Sequence, residues 1–244
     1  MWLWTGRLRR GLTMAGLLDA MLANPWATLD AVVEGPLHPG GRDATAELLA
    51  RADVGEGTRL LDVGCGAGDA LALARERGAE AWGLDRSPGA DRAVVGDAAT
   101  LPLRGQSVDV VLAECVLCLT DFPRAVSEAE RVLAPGGRLA LSDVVAEERP
   151  DIPDELARAF CLTGARQRET LIETVEAAGF TVEHTRDHRE DLLEMRDRVG
   201  ERVDYEGLLG TMGERGRALQ RGVADLEAAI EDGGVGYVSV VARA

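Results

Sequence analysis

Residues 59–70 read RLLDVGCGAGDA, and this stretch decides the fold of the 244-residue chain. Its apolar start is typical of a parallel strand covered on both faces, and the residues after it have the spacing of a helix. Gly64, Gly66 and Gly68 separate the two elements, and glycine permits a tight turn and the close approach of a ligand to the backbone. A strand, a glycine-rich loop and a helix in this order predict the first unit of a doubly wound α/β sheet.

The alternation of strands and helices continues to the end of the chain. The other stretches with strand character are residues 79–85, 92–97, 107–114, 138–145, 181–185 and 236–244. Ligands of doubly wound sheets bind beyond the carboxyl ends of the strands. One connection is unusual, because only the eight residues 86–93 join the second strand to the third. A crossover usually needs about a dozen residues and a helix, so we predict that this helix is missing or reduced to one turn.

The composition restricts the classes of partner. The chain has a formal net charge of −15, and its 27 basic residues are all arginine. Such a surface repels nucleic acid and anionic membranes, so a small-molecule substrate is the partner we expect. Either a GC-rich genome or a salt-adapted cytoplasm explains an acidic protein without lysine. Four cysteines do not make a disulfide framework, so we expect free thiols in a cytoplasmic protein, as a monomer or homodimer.

Acidic residues around the glycine loop indicate the type of cofactor. Asp69 lies where a dinucleotide-binding loop favours glycine, and Asp62 precedes the loop. Two carboxylates would repel a pyrophosphate, but they suit a cationic ligand without phosphates. S-adenosylmethionine, with its ammonium, sulfonium and adenosine, fits. Asp85 lies 21 residues after Gly64, at the end of the next strand, where it can accept hydrogen bonds from both ribose hydroxyls. Asp97 follows the third strand, within reach of the adenine amino group.

Five stretches resemble, in order, the motifs of class I S-adenosylmethionine-dependent methyltransferases: LLDVGCGAG, GLDRSP, GDAATLPL, SVDVVLAECVL and RVLAPGGRLALSDV. The resemblance implies a methyltransferase with a Rossmann-like, doubly wound sheet of seven strands, mostly parallel with one antiparallel strand. It places Asp62, the glycines and Glu114 near the methionine portion of the cofactor. The residues that we expect to bind the cofactor are Asp62, Gly64, Cys65, Gly66, Gly68, Asp85, Arg86, Asp97, Ala98 and Glu114.

The stretch AECVLCLT (113–120) follows the fourth strand and indicates an acceptor. It resembles arsenite methyltransferases, with Cys115 at a family position, and ARAFCLTGARQRETL resembles the segment that carries one of their arsenic-binding cysteines, here Cys161. A soft nucleophile such as arsenite or a thiol needs no general base, so we expect methyl transfer to such an acceptor. The family's cysteine before the glycine loop is absent, and Cys118 would be an additional ligand. Alternatively, Cys115 and Cys118 are packing residues.

A histidine suggests a second mechanism of methyl transfer, with a general base. His38 lies in a loop that could fold over the cofactor and act as a general base, which would suit an O- or C-methyltransferase of a quinol-like or carboxylate substrate. His184 and His188 are expected at the surface, at the end of the sixth strand. All three histidines are far in sequence from Cys115 and Cys118, and no pair of C-x2-C motifs exists, so no structural zinc site is expected. A third alternative is a sensor that binds the cofactor or a metalloid without turnover.

The chain divides into three predicted parts. Residues 1–14 are expected to be a disordered leader, and Met14 is an alternative start. Residues 15–57 are expected to form a helical cap, because short helical patterns alternate there with proline and glycine. Residues 58–244 are expected to form the methyltransferase domain, with a helical insertion at about 188–231.

Overall fold

The structure, a computed structural model, describes residues 38–202, 205–210 and 212–244. The strands are β1 (Arg59–Val63), β2 (Glu80–Asp85), β3 (Ala93–Val95), β4 (Val108–Glu114), β5 (Leu133–Ala146), β6 (Thr181–Asp187) and β7 (Val235–Arg243). The helices are α1 (Gly41–Arg51), α2 (Asp69–Glu76), α3 (Phe122–Val132), α4 (Asp154–Ala159), α5 (Arg168–Ala177), α6 (Arg189–Arg202), α7 (Tyr205–Gly210) and α8 (Gly213–Glu231). A 3₁₀ turn covers Leu117–Leu119.

The strands form one sheet in the order β3-β2-β1-β4-β5-β7-β6. β1 to β5 pair in parallel, whereas β7 is antiparallel to both β5 and β6. The predicted seven-stranded, mostly parallel sheet with one antiparallel strand is therefore confirmed. The order reverses between β1 and β4, so the carboxyl ends of these two strands mark the switch point where such sheets bind ligands.

The near-continuous apolar run of β4 is explained by helices on both faces of the sheet. Val110 and Leu112 pack in a cluster with residues of α1 and α2, whereas Val111 and Ala113 pack with residues of α3 and α5. Successive residues of a strand point to opposite faces, so a strand covered on both sides needs apolar residues at nearly every position.

The segment between β2 and β3 contains no helix, as the short connection predicts. β3 itself has three residues, and the side chains there are poorly covered. Val94 is 53% exposed and Val95 is 75% exposed. The sheet edge next to the expected adenine site is therefore thin and open.

The structure describes some of the predicted parts of the chain and not others. Helices α6, α7 and α8 occupy the segment between β6 and β7 that was expected to be a helical insertion, and α1 lies in the expected cap. The expected leader, 1–14, and the cap up to residue 37 lie outside the described residues, so the division into parts stays a prediction. Among the described helices, none is both long and apolar enough to cross a membrane.

Candidate active site

The glycine loop, residues 64–68, is hydrogen-bonded to the end of β2. The backbone N–H groups of Gly64 and Cys65 both donate to the Leu84 carbonyl, at 2.7 and 3.2 Å. Gly64 has a φ of 81°, and a Cβ there would lie 2.5 Å from Cγ2 of Val116. Only glycine fits this position, because a side chain would be strained and would collide with the segment that follows β4.

Asp85 ties the loop to the next strand. Its Oδ2 accepts from the Gly66 N–H at 3.1 Å, and its Oδ1 accepts from the Ser87 N–H at 2.7 Å. Gly66 has a φ of 47°, and a Cβ there would meet no atom within 4 Å. A carboxylate has about four lone-pair sites, so Asp85 keeps acceptor capacity on this open side for the hydroxyls of a ribose.

Two buried carboxyl groups lie at the switch point, at β1 and the end of β4. Asp62 is 3% exposed, and no described group hydrogen-bonds to its Oδ2. The side chain of Glu114 is 8% exposed, and its two oxygens accept from the Thr45 hydroxyl at 3.2 and 3.0 Å. Burial raises the pKa of both groups. An orphaned buried acceptor beside a second acid fits a cation, and the ammonium of S-adenosylmethionine is such a group.

The adenine side is formed by exposed polar residues and one buried alanine. Asp97 accepts from the Ala99 N–H at 2.9 Å, and Ala98 is buried at 7% exposure. Arg86 lies 3.8 Å from Asp97, and its side chain is 80% exposed. An exposed pair at this distance contributes little, so Arg86 can move when a ligand approaches.

The thiol of Cys65 packs behind the glycine loop. The expectation that Cys65 lines the cofactor pocket stays a prediction. A Cβ on Gly83 would lie 2.4 Å from the Cys65 sulfur, and Cys65 belongs to the apolar cluster with Leu71. Burial raises the pKa of this thiol to about 12. Only the backbone of Cys65 remains available to a ligand.

The raised pKa of Asp62 predicts that cofactor binding depends on pH. Burial raises its pKa well above the ordinary value of 3.8, and the charges of Glu114 and Asp85 raise it further. The folded protein then holds this proton more tightly than the unfolded chain does. The stability of the free protein therefore falls as the pH rises from the ordinary range of an aspartate through the raised pKa.

A bound ammonium reverses this preference, because it favours the carboxylate. We expect the affinity for S-adenosylhomocysteine to increase as the pH rises through the pKa of Asp62, with a proton released on binding. Calorimetry in buffers of different ionisation enthalpy measures both quantities. Asp62→Asn should bind more weakly and lose the pH dependence. An equally pH-dependent Asp62→Asn protein would contradict this assignment.

Two thiols from distant segments meet beside Glu114. Cys115 directly follows β4, and Cys161 follows α4 on the opposite side of the site. Their sulfur atoms are 3.4 Å apart. Both residues have positive φ, 54° and 59°, and the Cys115 N–H donates to the Ser142 carbonyl at 2.7 Å. The structure therefore brings together the two cysteines that sequence reasoning selected.

Cys118 completes a cluster of three thiols. It lies in the 3₁₀ turn, which places it three residues after Cys115 on the same side, and its N–H donates to Oδ2 of Asp143 at 2.6 Å. Cys118 and Cys161 both hydrogen-bond to the Cys115 sulfur, which lowers the pKa of Cys115. The same contacts raise the pKa of Cys118. Of the three thiols, Cys115 is therefore the one that ionises most readily.

Gly164 holds the two thiol segments together. A Cβ at this position would lie 2.0 Å from the carbonyl oxygen of Cys118. The loop that carries Cys161 therefore packs with its bare backbone against the turn that carries Cys118. This contact between two main chains seats the loop of Cys161 against the turn of Cys118.

His38 and His188 flank a buried tyrosine. Nε2 of His38 lies 3.1 Å from the Thr45 hydroxyl and 3.6 Å from Glu114, and its ring stacks on Tyr237 at 6.4 Å between centroids. The expectation that His188 is at the surface is wrong, because it is 4% exposed. Nδ1 and Nε2 of His188 bond to Asp191 and Ser239, which explains its burial. His184 is exposed, as expected.

Sequence reasoning missed Tyr237. It is fully buried, and its hydroxyl lies 2.8 Å from the Ser142 hydroxyl. The electrostatic effects of Cys115 and Glu114 on its pKa place it beside the site. Its sequence context, GYVSVVARA, is that of an ordinary strand, so no local signal marks it. In the parts of the chain that the structure describes, no group of three or more His, Cys, Asp or Glu residues could hold a metal ion.

The chain is similar in sequence to known methyltransferases. A family model described as a methyltransferase domain matches residues 61–141. The chain is 34% identical to Methyltransferase GfsG of Streptomyces halstedii over 218 residues, which is 76% of this chain and 74% of the relative. It is 30% identical to the ubiquinone/menaquinone biosynthesis C-methyltransferase UbiE of Dinoroseobacter shibae, over 82% of this chain and 83% of the relative.

Other similarities are shorter or structural. An arsenite methyltransferase of Halobacterium salinarum is 32% identical over 155 residues, which is 54% of this chain and 39% of the relative. The [4+2]-cyclase SpnF has a TM-score of 0.70 at 24% identity, over 95% of this chain and 96% of that one. A geranyl diphosphate methyltransferase in complex with S-adenosylmethionine has a TM-score of 0.68 at 18% identity, over 92% and 94%. These solved structures share the fold.

Proposed function

Because this chain belongs to the class I S-adenosylmethionine-dependent methyltransferases, we propose that it methylates a small soft nucleophile bound by Cys115 and Cys161. The observation that carries the proposal is the 3.4 Å separation of the two sulfur atoms, next to the buried Glu114 at the end of β4. Trivalent arsenic, as arsenite, is the acceptor that such a pair of thiols fits best. The similarity to an arsenite methyltransferase supports the same choice.

The proposed chemistry divides between cofactor and protein. S-adenosylmethionine is the cofactor and supplies an activated methyl group on a sulfonium. The protein binds and orients the acceptor and excludes water from it. A trivalent arsenic held by two thiolates keeps a lone pair that can be directed at the methyl carbon. This lone pair forms the new bond while the sulfonium bond breaks, so no group of the protein has to remove a proton.

The states of the thiols support this use. Hydrogen bonding with Cys118 and Cys161 lowers the pKa of Cys115, so Cys115 is the first of the three thiols to supply a thiolate ligand. Cys161 is 1% exposed and reaches Cys115 without further movement of the chain. Asp143, buried beside Cys118 with its pKa raised to about 7, can accept a proton released by a thiol on ligand binding.

One observation favours a second acceptor class. His38, Thr45 and Glu114 form a buried hydrogen-bonded chain at the methionine end of the site. Nδ1 of His38 lies 3.1 Å from the Pro39 carbonyl, which can only accept, so Nε2 of a neutral ring is an acceptor, and the single proton of the Thr45 hydroxyl is shared between His38 and Glu114. Such a base suits a hydroxyl or carboxyl acceptor, and an O-methyltransferase of Pyrenophora dematioidea is 28% identical over 90% of this chain.

A screen with labelled cofactor separates these acceptors. We expect the purified full chain to transfer the methyl group to arsenite, and not to quinols or small carboxylic acids. Methylation of a quinol that His38→Ala abolishes, together with no turnover of arsenite, would replace this proposal by the second one. Turnover of any acceptor excludes a sensor, whereas tight cofactor binding without turnover of any acceptor would support it.

A further inference from the structure

We propose that Arg166 is a recognition site for an oxyanion, such as a carboxylate, carried by the methyl acceptor. This inference rests on the function proposed above and adds a preference for acceptors that carry a negative group besides the soft atom. Arg166 lies between α4 and α5, on the loop that carries Cys161. Its backbone is fixed there, because it forms a parallel bridge with Val145 and its carbonyl accepts from the Ala146 N–H at 3.0 Å.

The side chain of Arg166 has a defined position. The guanidinium carbon lies 3.8 Å from the centroid of the Phe122 ring, which is 2% exposed at the start of α3. Stacking uses the flat face of a guanidinium and leaves the N–H groups free around its edge. The group is partly buried, and this burial lowers the pKa of Arg166. The ring therefore holds a cation whose donors are already oriented.

These donors have no acceptor within the described residues. The Arg166 guanidinium forms neither an ion pair nor a hydrogen bond there, although the chain has 42 acidic residues for 27 basic ones. Asp143 acts on it electrostatically, but it forms neither an ion pair nor a hydrogen bond with Arg166, and its oxygens accept instead from the N–H groups of Cys118 and Val144 at 2.6 and 3.0 Å. A partly buried guanidinium without a partner is costly, so a ligand that supplies the acceptor gains affinity.

The position of Arg166 connects it to the thiols. Gly164, two residues earlier, packs against the carbonyl of Cys118. A carboxylate matches the fork of a guanidinium and can form two parallel hydrogen bonds with it. The net charge of −15 repels anions from the rest of the surface, so a local cation is needed to select one. An acceptor that combines a soft atom for the thiols with an oxyanion for Arg166 should therefore bind more tightly than arsenite alone.

The first experiment tests the oxyanion site without thiol chemistry. The full chain, saturated with S-adenosylhomocysteine, is titrated with benzoate and with its uncharged analogue benzamide, and the guanidinium signals are followed by NMR. We expect one arginine signal to respond to benzoate alone. This signal should be absent from Arg166→Gln and Arg166→Lys and retained in Arg168→Gln, a matched control whose Arg168 pairs with Asp187. No specific response, or a response that persists in both Arg166 variants, would refute the site.

The second experiment tests whether one ligand uses both sites. The probes are para-carboxyphenylarsine oxide and its carboxamide analogue, which carry the same trivalent arsenic. We expect the wild type to bind the carboxylate at least about tenfold more tightly, as one charge-assisted hydrogen bond allows. Arg166→Gln should lose this preference. Equal binding of the two probes by the wild type would overturn the proposal. If neither probe binds, the thiol site fails, and the benzoate titration alone decides on Arg166.

Discussion

Replacing Cys161 by serine should abolish methyl transfer to arsenite, and replacing Cys115 should do the same. Each change removes one of two thiols that lie 3.4 Å apart. Removing a residue that only hydrogen-bonds to a metal ligand already lowers the metal affinity by about 10–100-fold. Removing a ligand itself should therefore lower the affinity for arsenite by at least about 100-fold. Binding of arsenite by calorimetry and turnover with labelled cofactor measure the effect.

Cys65→Ser is the matched control for these variants. It exchanges the same sulfur for oxygen at a buried cysteine, but the thiol of Cys65 packs against Gly83 and away from the other three. We expect Cys65→Ser to lower the melting temperature and to keep arsenite binding. If Cys161→Ser binds arsenite as the wild type does, or if Cys65→Ser loses binding equally, the thiol site is wrong.

Asp85→Ala should reduce the affinity for S-adenosylmethionine by at least an order of magnitude. Two hydrogen bonds to the ribose are each worth about 1.5–3 kcal/mol when the acceptor is charged. The structure adds a second cause, because the carboxylate also accepts from the N–H groups of Gly66 and Ser87 and so holds the loop in place. Calorimetry with S-adenosylhomocysteine measures the loss of affinity.

Asp91→Ala is the control for this change, since it removes an exposed carboxylate six residues further along the same connection. We expect it to bind the cofactor normally. Asp85→Asn keeps one oxygen acceptor and should fall between the wild type and Asp85→Ala. Unchanged affinity in Asp85→Ala would remove Asp85 from the cofactor site and would leave it a role in the loop alone.

The fold could be predicted from the sequence because its signals are local. The strand, glycine loop and helix at 59–70 are contiguous, and the missing helix before β3 follows from counting residues. The predicted start of β5 was wrong, since the strand begins at Leu133 instead of residue 138. Val108 of β4 pairs with Leu133, but Val110 pairs with Arg138, so β5 has more residues than β4 over this interval. The extra residues of β5 form an irregular segment whose sequence is typical of a turn.

The site could be predicted in part. Cys115 and Glu114 follow from their place at the end of a strand, whereas the meeting of Cys115 with Cys161 spans 46 residues and depends on how two loops pack. Tyr237 reaches Ser142 across 95 residues through the antiparallel pairing of β7 with β5. His188 is buried by contacts that need the antiparallel pairing of β6 with β7. No pattern within a short stretch of sequence contains this information.

The contact between Gly164 and the Cys118 carbonyl has a consequence for recognising such sites in genomes. A substitution at Gly164 would separate the two sulfur atoms while every cysteine codon stayed intact, so counting cysteines would report a site that no longer exists. A Cβ at position 164 would lie 2.0 Å from the Cys118 carbonyl oxygen, so no residue with a side chain can replace this glycine without displacing the backbone. A glycine three residues after the second thiol is therefore part of the diagnostic pattern for this pair, although it carries no chemistry of its own.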